Sequence, residues 1–184
     1  MAVSLSICVF CSSSDVVDQV FFDAARRLGR LIAQGGHTLV YGGGAIGLMG
    51  ALARAVHRHT GRVIGVIPDS LVERDVAYHD ADELIVTKDI RQRKAAMDAR
   101  ADAFVALPGG FGTLEELIEA LTHRQLDYHT KPTVIVNIDG FYDPLLTLFD
   151  HLICRRFAKT HHRDSYQVVA GPDEAIATLE RTRG

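Results

Sequence analysis

The chain has 184 residues, 47% of them hydrophobic, with 20 lysines and arginines against 23 aspartates and glutamates, a formal charge of −3 with its nine histidines neutral. A chain of this length removes roughly 70% of its extended surface from water and needs no disulfide staples, and without a basic excess a dedicated DNA or RNA binder is disfavoured. No apolar run approaches the ~20 residues of a membrane span, and the opening MAVSLSICVFCSSSD lacks the basic and long apolar regions of a secretory signal, so the expectation is a cytoplasmic protein of one domain, residues 1–184, with no membrane partner.

The first strand is predicted over residues 5–10. It ends at Ser12-Ser13-Ser14-Asp15, residue types that cap helices. Val17, Val20, Phe21, Ala24, Leu28, Leu31 and Ile32 recur at helical spacing until Gly35-Gly36 stops them. A second strand, 38–41, leads through Gly42-Gly43-Gly44 into a helix, and a third, 62–67, closes at Pro68. A polar stretch and a short strand at 83–87 follow, then a helix at 89–100, a strand at 103–107 and Pro108-Gly109-Gly110. A helix from about 114 to 125, a strand at 132–137, a helix at 144–155, a strand at 167–169 and a helix at 172–179 complete the chain. Strands alternating with helices of this length predict a Rossmann-like, doubly wound α/β fold: a parallel sheet with helices on both faces.

Three cysteines are too few and odd for a disulfide framework. Cys8 and Cys11 form C-x-x-C, but an odd offset along a strand sends the side chains to opposite faces, unlike a redox pair at a helix start. His161-His162 has no carboxylate or cysteine at ligand spacing, and His151 and Cys154, one helical turn apart, are only two ligands, so no metal is expected.

In open parallel sheets, ligands bind beyond the carboxyl ends of the strands. Glycine there lets backbone amides approach a ligand, and the following helix N-terminus favours an anion; the loops at 12–14, 42–47 and 108–113 together predict a phosphorylated ligand, with Gly43 and Gly44 among its contacts. The run 42–47 matches G-x-G-x-x-G, but after the second strand rather than the first, so no organic cofactor is expected.

Pro108-Gly109-Gly110-Phe111-Gly112-Thr113-Leu114-Glu115-Glu116, preceded by Arg93-Lys94, is more specific. With Tyr41-Gly42-Gly43-Gly44, Val66-Ile67-Pro68 and Asp139-Gly140-Phe141-Tyr142, it resembles the LONELY GUY family of cytokinin-activating phosphoribohydrolases, often mislabelled as lysine decarboxylases. The resemblance covers about residues 5–150; the remaining C-terminal residues carry no signature. It implies hydrolysis of the N-glycosidic bond of a nucleoside 5′-monophosphate, N6-prenylated AMP or AMP, releasing the base and ribose 5-phosphate. It also implies a catalytic pair, Arg93 and Glu116, and substrate contacts from Arg93, Lys94, Gly110, Phe111, Gly112, Thr113, Leu114, Glu115, Glu116 and Thr122. Asp75 stands where the family has a base-contacting glutamate, one methylene longer. A homodimer is expected, a larger homo-oligomer being open.

The residues themselves leave alternatives. Thr113 through Glu116 also reads as a T-x-x-E capping box with Thr113 as N-cap, which would hold the carboxylate ionised near the helix's positive end. A helical wheel puts Leu114, Leu117, Ile118 and Leu121 on one face and Glu116 nearly opposite, pointing to a cleft mouth or a partner subunit. Ile90, Arg93, Lys94 and Met97 form a stripe facing protein, where Arg93 either pairs with a core-edge carboxylate or clamps phosphate or the leaving base. A non-catalytic nucleotide or molybdopterin-type carrier on the same fold is the rival function. A pyridoxal-phosphate decarboxylase lacks a suitable lysine context.

Overall fold

The computed structural model describes residues 4–74 and 76–182. Seven parallel strands form one sheet: β1 (Ser6–Phe10), β2 (Thr38–Tyr41), β3 (Arg62–Pro68), β4 (Glu83–Thr87), β5 (Ala103–Ala106), β6 (Thr133–Val136) and β7 (Gln167–Val169), in the order β4-β3-β2-β1-β5-β6-β7. The crossovers carry α1 (Gln19–Gln34), α2 (Gly47–Arg58), α3 (Asp69–Val72), α4 (Ile90–Arg100), α5 (Phe111–Gln125) and α6 (Asp143–Cys154), and α7 (Pro172–Arg181) follows the last strand.

Central strands of such a sheet are buried on both faces, and the two-residue period divides their side chains between two cores. Ile7, Val9, Leu39, Tyr41, Val105 and Val134 pack under α1, α2 and α7, with Leu28, Leu52 and Ile176 opposite them. Cys8, Phe10, Val40, Val66, Phe104 and Ile135 face the other way, against Met97 of α4, Leu117 and Leu121 of α5 and the half-buried Leu145 and Phe149 of α6. Cys8 and Cys11 lie in these two different cores, both buried and unpaired, as strand parity requires.

Two predicted helix starts are corrected. Ser12, Ser13 and Ser14 do not cap α1, whose N-cap is Asp18; they form a loop in which the Ser12 hydroxyl accepts from the Ser14 amide at 3.0 Å. Val17 repeats the helical spacing but precedes the helix. α5 starts at Phe111, with Gly110 as N-cap, so Thr113 is inside the first turn and no capping box forms. Gly109 is the reason: a Cβ there would lie 2.1 Å from Thr113 Oγ1, so its absence lets Thr113 tuck beneath the loop as part of the helix. Among the described residues no helix is long and apolar enough to cross a membrane.

Candidate functional site

From β1 the chain winds outward through β2, β3 and β4, then returns to β5 on the other side of β1. The crevice at this switch point is where an open α/β sheet binds ligands, and here it is a cleft of ≈ 560 Å³. Cys11 through Ser14 follow β1, Gly42, Gly44 and Ile46 follow β2, Ile67, Leu71, Arg74 and Val76 come from the end of β3 and beyond, and Gly110, Phe111, Gly112 and Thr113 open α5. Arg93 and Glu116 also line it.

These last two meet. Arg93 Nη1 stands 3.0 Å from Glu116 Oε1, and both residues are buried, at 8% and 6% exposure. Arg93 Nε donates to the Val66 carbonyl at 3.1 Å and Nη2 to the Gly42 carbonyl at 3.4 Å. The guanidinium is thus locked by β3, the glycine loop and α5 together, a geometry that a flexible ammonium does not reproduce. Burial pushes the Glu116 carboxyl above its ordinary range; the Arg93 charge pulls it back and Glu115 adds to the rise. The balance leaves Glu116 a carboxyl that takes up a proton more readily than a solvent-exposed glutamate does, rather than one pinned in its ionised form by a helix end. Glu116 therefore corrects the helical-wheel expectation. With the true start of α5 three residues earlier, its inward face carries Thr113, Glu116, Leu117, Ala120 and Leu121, while Ile118 is exposed. A wheel scored by apolar residues alone misses an inward-facing carboxylate whose partner comes from another element.

The glycines serve chain packing before any ligand. A Cβ on Gly42 would lie 1.9 Å from Arg93 Nη2. One on Gly47, at φ +60°, would lie 2.4 Å from the Ser13 backbone, so only glycine admits the arginine and the serine loop. Gly43, at φ +72°, packs on Ile67. Gly110 and Gly112 differ, with nothing within 4 Å of the place a Cβ would take. The first bonded amide of α5 is that of Leu114, donating to the Gly110 carbonyl at 3.0 Å. The amides of Phe111, Gly112 and Thr113 precede it, donors of the kind that bind an anion at a helix N-terminus. Cys11 is held as a thiol, its pKa raised by burial and further by Glu116.

Several expected contacts lie elsewhere. Lys94 turns from the cleft to pair with Glu115 and Glu119; Glu115 is exposed, and Leu114 packs, half-buried, on the α4–α6 core. Thr122 bonds the Ile118 carbonyl at 2.7 Å and lines a separate groove between α5 and α6. Ile90, expected on the inward stripe of α4, is 46% exposed, though Arg93 and Met97 are buried as predicted. Asp75 lies outside the described residues. Sequence reasoning missed Arg74 and the apolar wall of Ile46, Met49, Ile67, Leu71 and Val76; the signal for Arg74 was a lone cation in the polar stretch after β3.

A family model described as "Possible lysine decarboxylase" matches residues 49–179. A cytokinin riboside 5′-monophosphate phosphoribohydrolase of Arabidopsis thaliana is 46% identical over 85% of this chain and 74% of its own length. A second from the same plant is 43% identical over 95% and 81%. The chain belongs to this family. It is the one that the P-G-G-x-G-T-x-x-E motif and the Arg-Lys pair resemble. Among solved structures, the molybdenum cofactor binding protein of Rippkaea orientalis superimposes with a TM-score of 0.76 over 100% of both chains at 22% identity, a likeness of fold. The decarboxylase description finds no support in the cleft. A Schiff-base enzyme needs a lysine amine there, and none lines it among the described residues.

Proposed function

We propose that this protein hydrolyses the N-glycosidic bond of cytokinin riboside 5′-monophosphates, and of AMP, to the free base and ribose 5-phosphate. The observation that carries the reading is the buried Arg93–Glu116 pair, set beside the free amides that open α5. The 5′-phosphate would sit on those amides, which leaves the glycosidic carbon facing Glu116. Water adds its oxygen to C1′ while the C1′–N9 electron pair leaves with the purine, and Glu116 accepts the proton the water loses. That proton then passes to the departing base or to solvent. Glu116 also offers negative charge to the oxocarbenium character at C1′. Arg93 commits two of its five N–H donors to carbonyls. The rest face Glu116 and the cleft, where they can steady charge on the leaving base. The wall of Ile46, Met49, Ile67, Leu71 and Val76 suits an apolar substituent on the purine N6.

Incubation with AMP and with N6-isopentenyl-AMP, followed by chromatography, should release adenine and isopentenyladenine with ribose 5-phosphate in equal amount. AMP bound without turnover would favour the carrier reading instead. The ratio of kcat/KM for the two nucleotides decides whether the prenyl group is selected.

We also assign a homodimer. Support comes from α6, which buries no residue fully in its own chain, and from the apolar groove of ≈ 220 Å³ between α5 and α6. Thr122, a substrate contact in the family resemblance, lies in this groove rather than in its own chain's cleft. Three unpaired cysteines, one of them exposed, fit a reducing cytoplasmic setting.

A further inference from the structure

The polar stretch between α3 and β4 has a part to play. Residues 76–78 lie antiparallel against the glycine loop: the Ala45 amide donates to the Val76 carbonyl at 2.8 Å, the Tyr78 amide to the Gly43 carbonyl at 2.8 Å, and Gly44 pairs with Ala77 between them. Val76 of this short strap lines the cleft together with Arg74. Its far end is fastened. Tyr78, 8% exposed, places its hydroxyl 2.9 Å from His57 Nδ1, and His57 Nε2 stands 3.0 Å from Asp82 Oδ2. Asp82 in turn accepts from the Val63 amide of β3 at 2.7 Å. With Asp82 as acceptor, His57 carries its proton on Nε2 and accepts the hydrogen bond of the tyrosine hydroxyl on Nδ1, so each bond has one donor and one acceptor.

We infer that the Asp82–His57–Tyr78 relay is a positioning device: it fixes the 76–78 strap on the glycine loop and so holds the cleft wall to which Val76 and Arg74 contribute in the shape that binds substrate. None of the three residues lines the cleft itself. The loop it clamps also supplies the Gly42 carbonyl that holds Arg93. Arg93 has two further anchors, Val66 and Glu116, so loosening the strap acts first on the wall and on binding rather than on the reacting pair. The inference rests on the proposed function only for the identity of the ligand in the cleft.

Tyr78→Phe keeps the ring and removes the hydroxyl; His57→Ala breaks both bonds of the histidine, and His57→Gln restores one acceptor and one donor. Tyr78→Phe and His57→Ala should raise KM for AMP about fivefold or more with kcat within about twofold, and His57→Gln should recover part of the loss. Amide hydrogen exchange should quicken at Ala45 and Tyr78 in both damaged variants, while the amides of β1 and β5 keep their protection. Unchanged exchange at Ala45 and Tyr78, or faster exchange with KM unmoved, overturns the inference. So does equal loss of protection throughout the chain, which would mark a merely structural role. Should the wild type turn over no nucleotide, the proposed function fails by itself; the strap is then judged by the same exchange pattern and by the calorimetric Kd for AMP, which the variants should weaken by the same factor.

Discussion

A carboxylate and a guanidinium buried together at 3.0 Å can hold structure or do chemistry, and substitution separates the two. Glu116→Gln keeps the size and removes the charge, so turnover should fall by ~10² or more while the fold survives. The pH profile adds a sharper test. Burial raises the Glu116 pKa above its ordinary 4.5, so a reaction that needs the ionised form should lose kcat/KM on an acid limb above the usual carboxylate range. Titrating activity from about pH 4 to 8 should show that limb in the wild type and none in the residual activity of Glu116→Gln. The same shift has a sign for stability. The folded chain binds this proton more tightly than the unfolded one, so the contribution of Glu116 is favourable below 4.5 and is lost as pH rises through the folded pKa. Denaturant midpoints across that range should lose this slope in the glutamine variant. Arg93→Lys should cost turnover almost as much, because one ammonium cannot span Val66, Gly42 and Glu116 at once. Broken buried bonds should also lower stability by about 1–3 kcal/mol in urea unfolding. Normal turnover in a destabilised Arg93→Lys would reduce the pair to a structural tie.

Elements, more than single residues, decide how phosphate is bound. The opening turn of α5 presents amides at a helix end with no methyl group on Gly110 or Gly112 to obstruct an anion. A riboside lacking the 5′-phosphate forfeits those charge-assisted bonds, so adenosine should be cleaved about 10²-fold less efficiently than AMP, measured as kcat/KM. Equal rates on both would remove the phosphate from the α5 turn. The strands were legible because buried parallel strands are short apolar runs between breakers; 38–41, 83–87 and 167–169 match β2, β4 and β7 to the residue. The starts of α1 and α5 were not, because Val17 and Thr113 satisfy local rules of spacing and capping that tertiary packing overrides, whereas those of α4, α6 and α7 fall within one residue of expectation. The cleft lining was legible where a motif marked it, at Arg93, from Gly110 to Thr113 and at Glu116, though not at Leu114 or Glu115. It was illegible where a wall is made by ordinary side chains meeting in space, as at Ile46, Met49, Leu71 and Arg74, for no local pattern records that they converge.

At the scale of the whole molecule, Glu116 no longer asks for a partner. Pointing outward it would have required a second subunit as cover, but it is sheltered within its own chain. The face we propose for a partner is that of α5 and α6. Phe157 is 83% exposed, Leu148 50% and Ile118 40%, beside a groove lined by Leu121, Phe149, Leu152 and Ile153. Clustered apolar side chains of this size mark an interaction surface more often than scattered ones do. Two-fold pairing lets one patch cover its own copy. Light scattering at assay concentration should therefore give at least twice the 20.2 kDa chain mass. Phe157→Glu places a charge on that face and should yield monomers, with circular dichroism unchanged because the side chain is already in water. Activity of that monomer tests Thr122. If Thr122 reaches substrate across the two-fold, Phe157→Glu should lose kcat/KM at concentrations where the wild type is dimeric, and Thr122→Val should weaken AMP binding in the dimer alone. A fully active Phe157→Glu monomer would show that each cleft is complete in one chain and that Thr122 serves only α5, through its bond to Ile118.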